Sequence, residues 1–125
     1  MKTNLLALTM FLALALPFGL YAEAATALAA DPIQTIRITA KKFEYSPSEI
    51  ELKQGEPVLL ELISLDRLHG FNCPELRVRA DITPGTPTTI RVEPKKAGRL
   101  IFHCDIYCGD GHEEMEGAFI VKGGQ

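Results

Sequence analysis

The chain has 125 residues, of which 46% are hydrophobic and 23% are charged, so it has the composition of one small globular domain and is too short for two full domains. Its 13 basic residues stand against 16 acidic ones, which gives a net charge of −3. This balance excludes the strongly basic surface that nucleic acids require, and we expect no nucleic-acid partner.

The first thirty residues have the pattern of an export signal. Lys2 precedes an apolar run from Leu5 to Leu16, Pro17 ends the run, and Ala-x-Ala sites follow. A secretory peptidase recognises this combination. We therefore expect residues 1–30 to be a signal peptide and the mature protein to be periplasmic or otherwise extracytoplasmic. The alternative is an uncleaved membrane anchor, because the run approaches the roughly 20 apolar residues of a spanning helix.

At residues 36–41 and 49–53, apolar and polar residues alternate, as they do in strands with one solvated face, and residues 58–63 form an apolar stretch. Turn signals rich in Gly and Pro separate the segments. The predicted strands cover residues 36–41, 49–53, 58–63, 88–92, 99–104 and 117–121. No segment keeps helical periodicity over about ten residues, which disfavours a parallel α/β fold. The sequence therefore predicts one all-β domain over residues 31–125, an antiparallel sandwich or barrel.

The cysteine count is odd. Cys73, Cys104 and Cys108 allow at most one intramolecular disulfide and leave one thiol over. Small exported domains usually rely on disulfides, so the spare thiol needs an explanation. Either one cysteine is buried and free, or two thiols bind a metal instead of each other.

Residues 104–115 hold two thiols, an imidazole and a thioether in the pattern Cys-x3-Cys-x3-His-x2-Met. Thiolate and thioether together select copper, whereas magnesium and calcium prefer oxygen and structural zinc sites rarely use Met. The composition of this segment, the ligand loop, therefore predicts a copper site. His69 lies far away in sequence but follows a predicted strand, and we expect it to meet the ligand loop at one end of the sandwich.

A remote histidine combined with a C-terminal ligand loop resembles the cupredoxins. The two-cysteine form is similar to CuA, the binuclear copper domain of cytochrome c oxidase subunit II and nitrous-oxide reductase. The resemblance also includes Phe43-x-Tyr45 and the turn at residues 54–57. It implies a Greek-key β-sandwich that holds two copper ions and transfers one electron at a time.

Residue by residue, the resemblance implies that Cys104 and Cys108 bridge the two copper ions and that His69 and His112 each cap one. Met115 is then a weak axial ligand, and the other weak ligand is the carbonyl of Ile106, two residues before the second cysteine. Glu often occupies that position in the family, but a carbonyl contact does not depend on the side chain. The site offers no open position for a substrate, so we expect no enzymatic activity.

The chain departs from both relatives, because the oxidase subunit carries a transmembrane hairpin and the reductase a large catalytic domain. We therefore expect a stand-alone exported domain whose redox partner is a protein such as a c-type cytochrome or a terminal oxidase. Membrane contact is expected only if residues 1–30 are retained. The acidic residues of the ligand loop are either a solvated face or a means of steering a cationic partner. They are Asp105, Asp110, Glu113, Glu114 and Glu116.

Three alternatives remain open. The same soft ligands suit a periplasmic protein that binds or delivers copper. A mononuclear cupredoxin site would use His69, Cys108, His112 and Met115 and leave Cys104 a bystander. A Cys-His hydrolase is disfavoured because no third orienting group is identifiable.

Two further residues near the predicted ligands need separate treatment. His103 is not expected to be a ligand, because consecutive side chains on a strand point to opposite faces and Cys104 points to the site. Cys73 is expected to be a half-buried thiol. The alternative for Cys73 is a redox-active or auxiliary copper-binding thiol that is also able to pair with Cys104 or Cys108 in the metal-free protein, and such a disulfide would block copper loading.

Overall fold

The structure is a computed structural model that describes residues 31–124. The expected signal peptide at residues 1–30 lies outside the described residues. Between residues 31 and 124, no helix has the length and apolar character needed to span a membrane.

The described chain folds into nine strands and two short 3-10 helices. The strands are β1 (Gln34–Lys41), β2 (Glu44–Ser46), β3 (Glu49–Lys53), β4 (Val58–Ser64), β5 (His69–Cys73), β6 (Val78–Ile82), β7 (Thr88–Val92), β8 (Gly98–His103) and β9 (Glu116–Lys122). The 3-10 helices cover Pro74–Leu76 and His112–Glu114.

The strands form two sheets that enclose one apolar core. One sheet has the order β2-β1-β4-β7 and the other β3-β9-β8-β5-β6. In β4, Val58, Leu60 and Leu62 are buried while the residues between them are partly exposed. Phe71 and Phe102 extend the core from the other sheet. Burial of each such side chain stabilises the fold by about 1.5–3 kcal/mol, so the apolar faces of the two sheets pack together. The predicted all-β sandwich is confirmed.

Two strand pairs are parallel rather than antiparallel. β1 pairs with β4 and β3 pairs with β9 in the same direction, whereas the remaining pairs are antiparallel. The chain leaves the first sheet through β3 and returns to it as β4, so β4 enters beside β1 in the same direction. Alternation in the sequence predicts which face of a strand is buried, but it does not predict whether the neighbouring strand runs parallel or antiparallel.

The six predicted strands lie within two residues of the ends of β1, β3, β4, β7, β8 and β9, and three strands were not predicted. β2 has only three residues. β5 is buried at four of its five positions and contains His and Gly, so it shows no alternation. β6 does alternate, although over only five residues. His69, which was expected only to follow a strand, begins β5, and Cys104 begins the ligand loop instead of ending β8.

The site lies where β5 and β8 separate. The two strands pair only through Asn72 and His103, and β8 ends at His103. The ligand loop follows directly and occupies the space beyond that last pair. The turn at residues 65–68, which leads into β5, faces the loop from the other side, because Arg67 contacts the carbonyl of Cys108.

Candidate metal centre

Three predicted ligands form a compact buried group. The ligand atoms of His69, Cys104 and Cys108 all lie within 4.8 Å of one another. The two sulfur atoms are 3.6 Å apart. In the part of the chain that the structure describes, this is the one cluster of three or more His, Cys, Asp or Glu side chains close enough to share a metal ion.

The other three predicted ligands surround the two sulfurs. His112 Nδ1 and Met115 Sδ each lie 3.8 Å from Cys108 Sγ. The Ile106 carbonyl oxygen lies 3.1 Å from Cys104 Sγ. The fold thus brings together all six residues that the sequence indicated. That they ligate a metal stays a prediction.

The imidazole of His69 has one nitrogen bonded and one free. Its Nε2 lies 2.6 Å from Asp66 Oδ1, while its Nδ1 is buried without a hydrogen-bond partner among residues 31–124. Leaving a buried polar atom unpaired costs about 1–3 kcal/mol. A carboxylate that accepts a hydrogen bond from Nε2–H keeps the proton on Nε2, so the lone pair of Nδ1 is free for a metal. The unpartnered nitrogen beside two thiols is a donor set that fits copper.

Asp66 is itself held in place by the backbone. It accepts hydrogen bonds from the N–H groups of Lys42, at 2.8 Å, and Arg67, at 2.7 Å. Burial alone would raise the pKa of Asp66, but the hydrogen bonds from His69, Lys42 and Arg67 outweigh it and lower the pKa below its usual value. The carboxylate is therefore ionised at neutral pH and orients the His69 ring.

Hydrogen bonds fix both ends of the ligand loop. The Cys104 N–H donates to the Met115 carbonyl at 3.0 Å, which closes the loop at its base. Asp105 accepts from Arg79 Nε at 2.8 Å, and the hydrogen bonds from Arg79 hold the pKa of Asp105 below its usual value. Near the middle, Arg67 Nη1 donates to the Cys108 carbonyl at 2.6 Å. These hydrogen bonds hold the backbone of both cysteines in place.

Phe43 packs directly on the loop backbone at two glycines. Gly109 and Gly111 have φ values of +134° and +109°, which residues with a side chain rarely adopt. A Cβ atom on Gly111 would lie 2.8 Å from Phe43 Cδ2. Glycine at these positions lets the loop bend sharply between Cys108 and His112.

Gly70 brings β5 against the start of the loop. A Cβ atom at this position would overlap the Asp105 carboxylate and lie 3.0 Å from the Asp105 nitrogen. Its N–H donates to Cys104 Sγ at 3.3 Å. Backbone donors of this kind stabilise negative charge on a sulfur.

The thiol of Cys108 is a weaker acid than usual. Burial, and after it the hydrogen bond and charge of Cys104, raise the pKa of Cys108 to about 11. Cys108 is therefore protonated at neutral pH in the metal-free protein. A metal ion binds the thiolate form, so any metal held by Cys108 would displace this proton.

His103 and Cys73 both lie outside the cluster. His103 is half-buried on β8, opposite Asn72 on one side and Glu116 on the other. Cys73 is fully buried rather than half-buried as expected, because it faces the core on β5 together with Phe71. Burial raises the pKa of Cys73. All three cysteines are free.

The outer surface of the ligand loop is exposed. Tyr107 is 73% exposed, its hydroxyl lies 2.8 Å from Asp110 Oδ1, and its ring centroid lies 5.9 Å from that of His112. Glu113 and Glu114 are also exposed. Of the five acidic residues in the predicted cluster, Asp105 is engaged by Arg79, so the free negative charge is concentrated after Cys108.

Sequence reasoning did not identify Asp66, Arg67 or Gly70 as parts of the site. Asp66 stands three residues before His69, and ligand histidines usually donate their second N–H to a carboxylate or carbonyl, so a usable signal was present. The hydrogen bond of Arg67 and the close contact of Gly70 join residues more than thirty positions apart, and no local pattern indicates them.

Comparisons with known proteins agree with this geometry. The chain matches the family described as cupredoxin-like domain over residues 9–121. Cytochrome c oxidase subunit 2 of Thermus thermophilus is 34% identical over 88 residues, which cover 70% of this chain and 65% of that protein. The chain thus spans less than two thirds of this relative's length.

More distant similarities point the same way. Nitrous-oxide reductase of Ralstonia nicotianae is 30% identical over 92 residues, which cover 70% of this chain and 14% of that protein. The periplasmic domain of subunit II of the Bradyrhizobium japonicum cytochrome oxidase has the same fold, with a TM-score of 0.67 at 20% identity over 76% of this chain and 86% of that domain. These matches confirm the resemblance that the ligand loop indicated.

Proposed function

Because the chain belongs to the cupredoxin-like domain family, we propose that it is an exported one-electron carrier with a binuclear copper centre similar to CuA. Residues 31–125 form the copper domain in this proposal, and residues 1–30 direct its export. The observation that supports it most strongly is the pair of buried sulfurs, Cys104 and Cys108, 3.6 Å apart within the cluster that includes His69. A site for one copper would leave the buried Cys104 thiol without a role.

In the proposed centre, the thiolates of Cys104 and Cys108 and the imidazoles of His69 and His112 would hold the two copper ions. Met115 and the Ile106 carbonyl are the weak ligands. When bound, copper supplies reversible one-electron chemistry, and the thioether and the apolar surroundings tune its potential. Both cysteines and Met115 are almost fully buried, so the donor set also excludes water from the sulfurs.

The chain contributes rigidity to this function. Asp66 holds the His69 ring, Arg67 holds the Cys108 carbonyl and Arg79 holds Asp105. A site whose ligands are held independently of the metal changes little between oxidation states. Little rearrangement favours fast electron transfer, so these hydrogen bonds support a carrier rather than a catalyst.

The proposed partner is a redox protein with a cationic surface, such as a c-type cytochrome or a terminal oxidase. Glu113, Glu114 and Asp110 lie exposed beside His112, at the end of the molecule nearest the proposed copper ions. Opposite charges steer two proteins together and are screened by salt. Raising the ionic strength from about 0.01 M to 0.15 M is expected to slow electron exchange with a cationic cytochrome and to have little effect with a neutral small-molecule donor.

A copper-delivery role is the second candidate. Three sulfur atoms, those of Cys104, Cys108 and Met115, lie together, and soft sulfur ligands favour Cu(I). A carrier should keep its copper in both oxidation states, whereas a delivery protein should prefer one state and exchange it readily.

Electron paramagnetic resonance on the thiol-reduced, copper-loaded domain tests these roles, with copper counted on the same sample. We expect two coppers per chain and hyperfine splitting from one unpaired electron shared by both. One copper with a single-ion spectrum would replace the binuclear site by a mononuclear one. A silent Cu(I) protein that resists oxidation would favour delivery.

A further inference from the structure

Tyr45 is a buried tyrosine that connects the two sheets behind the proposed copper centre. It lies on β2 and is 2% exposed. Its hydroxyl donates to the carbonyl of Gly70 on β5 at 2.6 Å. β2 and β5 belong to different sheets, so this hydrogen bond crosses the interior of the sandwich.

Gly70 depends on this hydrogen bond because the ladder between β5 and β8 has ended beside it, on the side to which its N–H and C=O point. β5 pairs with β8 only through Asn72 and His103, two residues further along. The N–H and C=O of one strand residue point to the same side. Gly70 directs its N–H to Cys104 Sγ and its C=O to the Tyr45 hydroxyl. The sulfur and the hydroxyl thus replace the partners that a continued β8 would have supplied.

We propose that Tyr45 is a positioning residue of the copper centre, because its hydroxyl holds Gly70 so that the Gly70 N–H stays directed at the Cys104 sulfur. A hydrogen bond from this N–H to a thiolate withdraws charge from the sulfur that the copper ions would share. Tyr45 therefore influences both the position of Cys104 and the electron density on it. The inference rests on the proposed function for the identity of the metal, and its first test needs no metal.

The packing of the Tyr45 ring gives no reason for a hydroxyl at this position. The ring stands edge-on to Phe71 and Phe102, with centroid separations of 6.1 Å and 5.1 Å. A phenylalanine ring makes the same contacts. Burying a hydroxyl is unfavourable unless it is hydrogen-bonded, and the bond to the Gly70 carbonyl meets this requirement.

The metal-free test compares Tyr45→Phe with the control Tyr107→Phe. Each variant loses one hydroxyl, but the Tyr107 hydroxyl contacts only the exposed Asp110 carboxylate. Amide hydrogen exchange is followed at Gly70 and, as a reference for global opening, at Leu60 and Leu62 in β4. We expect Tyr45→Phe to speed exchange at Gly70 about tenfold more than at the reference amides, as loss of one buried hydrogen bond predicts, and Tyr107→Phe to leave the ratio unchanged.

The second test uses the copper-loaded protein. Tyr45→Phe is expected to keep the copper content of the unmodified chain and to shift the absorption spectrum and the reduction potential of the centre. An equal rise in exchange at all amides, or an unchanged spectrum and potential, would mean that the hydroxyl only stabilises the fold. If the unmodified chain fails to bind two coppers, the proposed function fails, whereas the Gly70 exchange ratio decides the hydrogen-bonding role of Tyr45 independently.

Discussion

Arg67 Nη1 lies 2.6 Å from the carbonyl oxygen of Cys108, so a side chain from the turn before His69 holds the loop that carries the sulfurs. Asp66, the neighbour of Arg67, holds the His69 ring. Two consecutive residues therefore control the two segments that must meet at the site. The distance between His69 and the sulfurs is set by this turn as well as by the strands.

Replacing Arg67 by methionine tests that relationship. The substitution keeps a long apolar stem but removes the donor to Cys108, and we expect a loss of about 1–3 kcal/mol in the free energy of unfolding, measured by urea denaturation. Arg37→Met is the control, because Arg37 contacts only Glu61 at the surface, at 3.4 Å, and should lose less than about 1 kcal/mol. Equal losses in the two variants would contradict a specific role for Arg67.

The bridging cysteines are tested by removing one sulfur at a time. We expect Cys104→Ser and Cys108→Ser each to abolish the binuclear centre, because a serine hydroxyl is a poor ligand for copper. His103→Ala is the matched control beside Cys104 and should leave the copper content unchanged. Copper is counted per chain by elemental analysis, and two coppers in either serine variant would rule out the bridging assignment.

Met115 is expected to tune the centre more than it holds it. Met115→Leu conserves volume at a position that is 1% exposed, so the cost in stability should stay below about 1.5 kcal/mol. The variant should retain copper and shift its reduction potential, because a weak thioether ligand would tune the potential. Voltammetry with parallel copper analysis checks this outcome. Complete loss of copper would show that Met115 is a strong ligand.

Gly70 is expected to tolerate no side chain. A methyl group there overlaps the Asp105 carboxylate, and the Asp105 backbone nitrogen at 3.0 Å leaves no room for relief. We expect Gly70→Ala to cost about 1–3 kcal/mol in unfolding free energy and to weaken copper binding, because the loop must shift. Gly123→Ala, where a Cβ meets nothing within 4 Å, should leave both unchanged.

Acid should destabilise the loop through Asp105. Hydrogen bonds from Arg79 lower the pKa of this carboxyl in the folded protein, so the unfolded chain binds its proton more tightly. The contact therefore stabilises the fold above the unfolded pKa of about 4, and the contribution disappears as the pH falls through the lower folded pKa.

Urea midpoints measured between about pH 7 and pH 2 should show this loss, and Asp105→Asn should remove that part of the pH dependence. Glu113→Gln is the control, because Glu113 is an exposed carboxyl of the same loop with no salt bridge among residues 31–124. An unchanged pH profile in Asp105→Asn would show that Arg79 and Asp105 do not couple in solution.

The sequence predicted most of the fold because alternation is a local property. Residues 36–41 and 49–53 alternate in the sequence and lie within β1 and β3, whereas β4 was predicted from its apolar stretch at residues 58–63. β5 was not predicted because Gly70 is buried together with its neighbours His69 and Phe71, which breaks the alternation. The parallel pairing of β1 with β4 was also not predicted, because it depends on the path of the chain between the two strands.

The site was predictable where ligands follow one another and unpredictable where they are supported from afar. The spacing from Cys104 to Met115 lies within one loop, and soft donors at that spacing indicate copper. The supports act across the fold: Tyr45 reaches Gly70, and Arg67 reaches Cys108. Such contacts depend on the packing of two sheets, and nothing in the neighbouring sequence specifies them.

His103 and Glu116, the residues on either side of the ligand loop, are directly opposite each other on β8 and β9. The twelve residues between them therefore leave the sandwich and return to it at a single paired position. We expect that a loop of another length, grafted between the same two residues, would leave the register of β8 and β9 unchanged. His69 would still lie beside such a loop, because it belongs to β5. In the proposed copper centre, this one short segment would carry every ligand except His69, which the scaffold supplies.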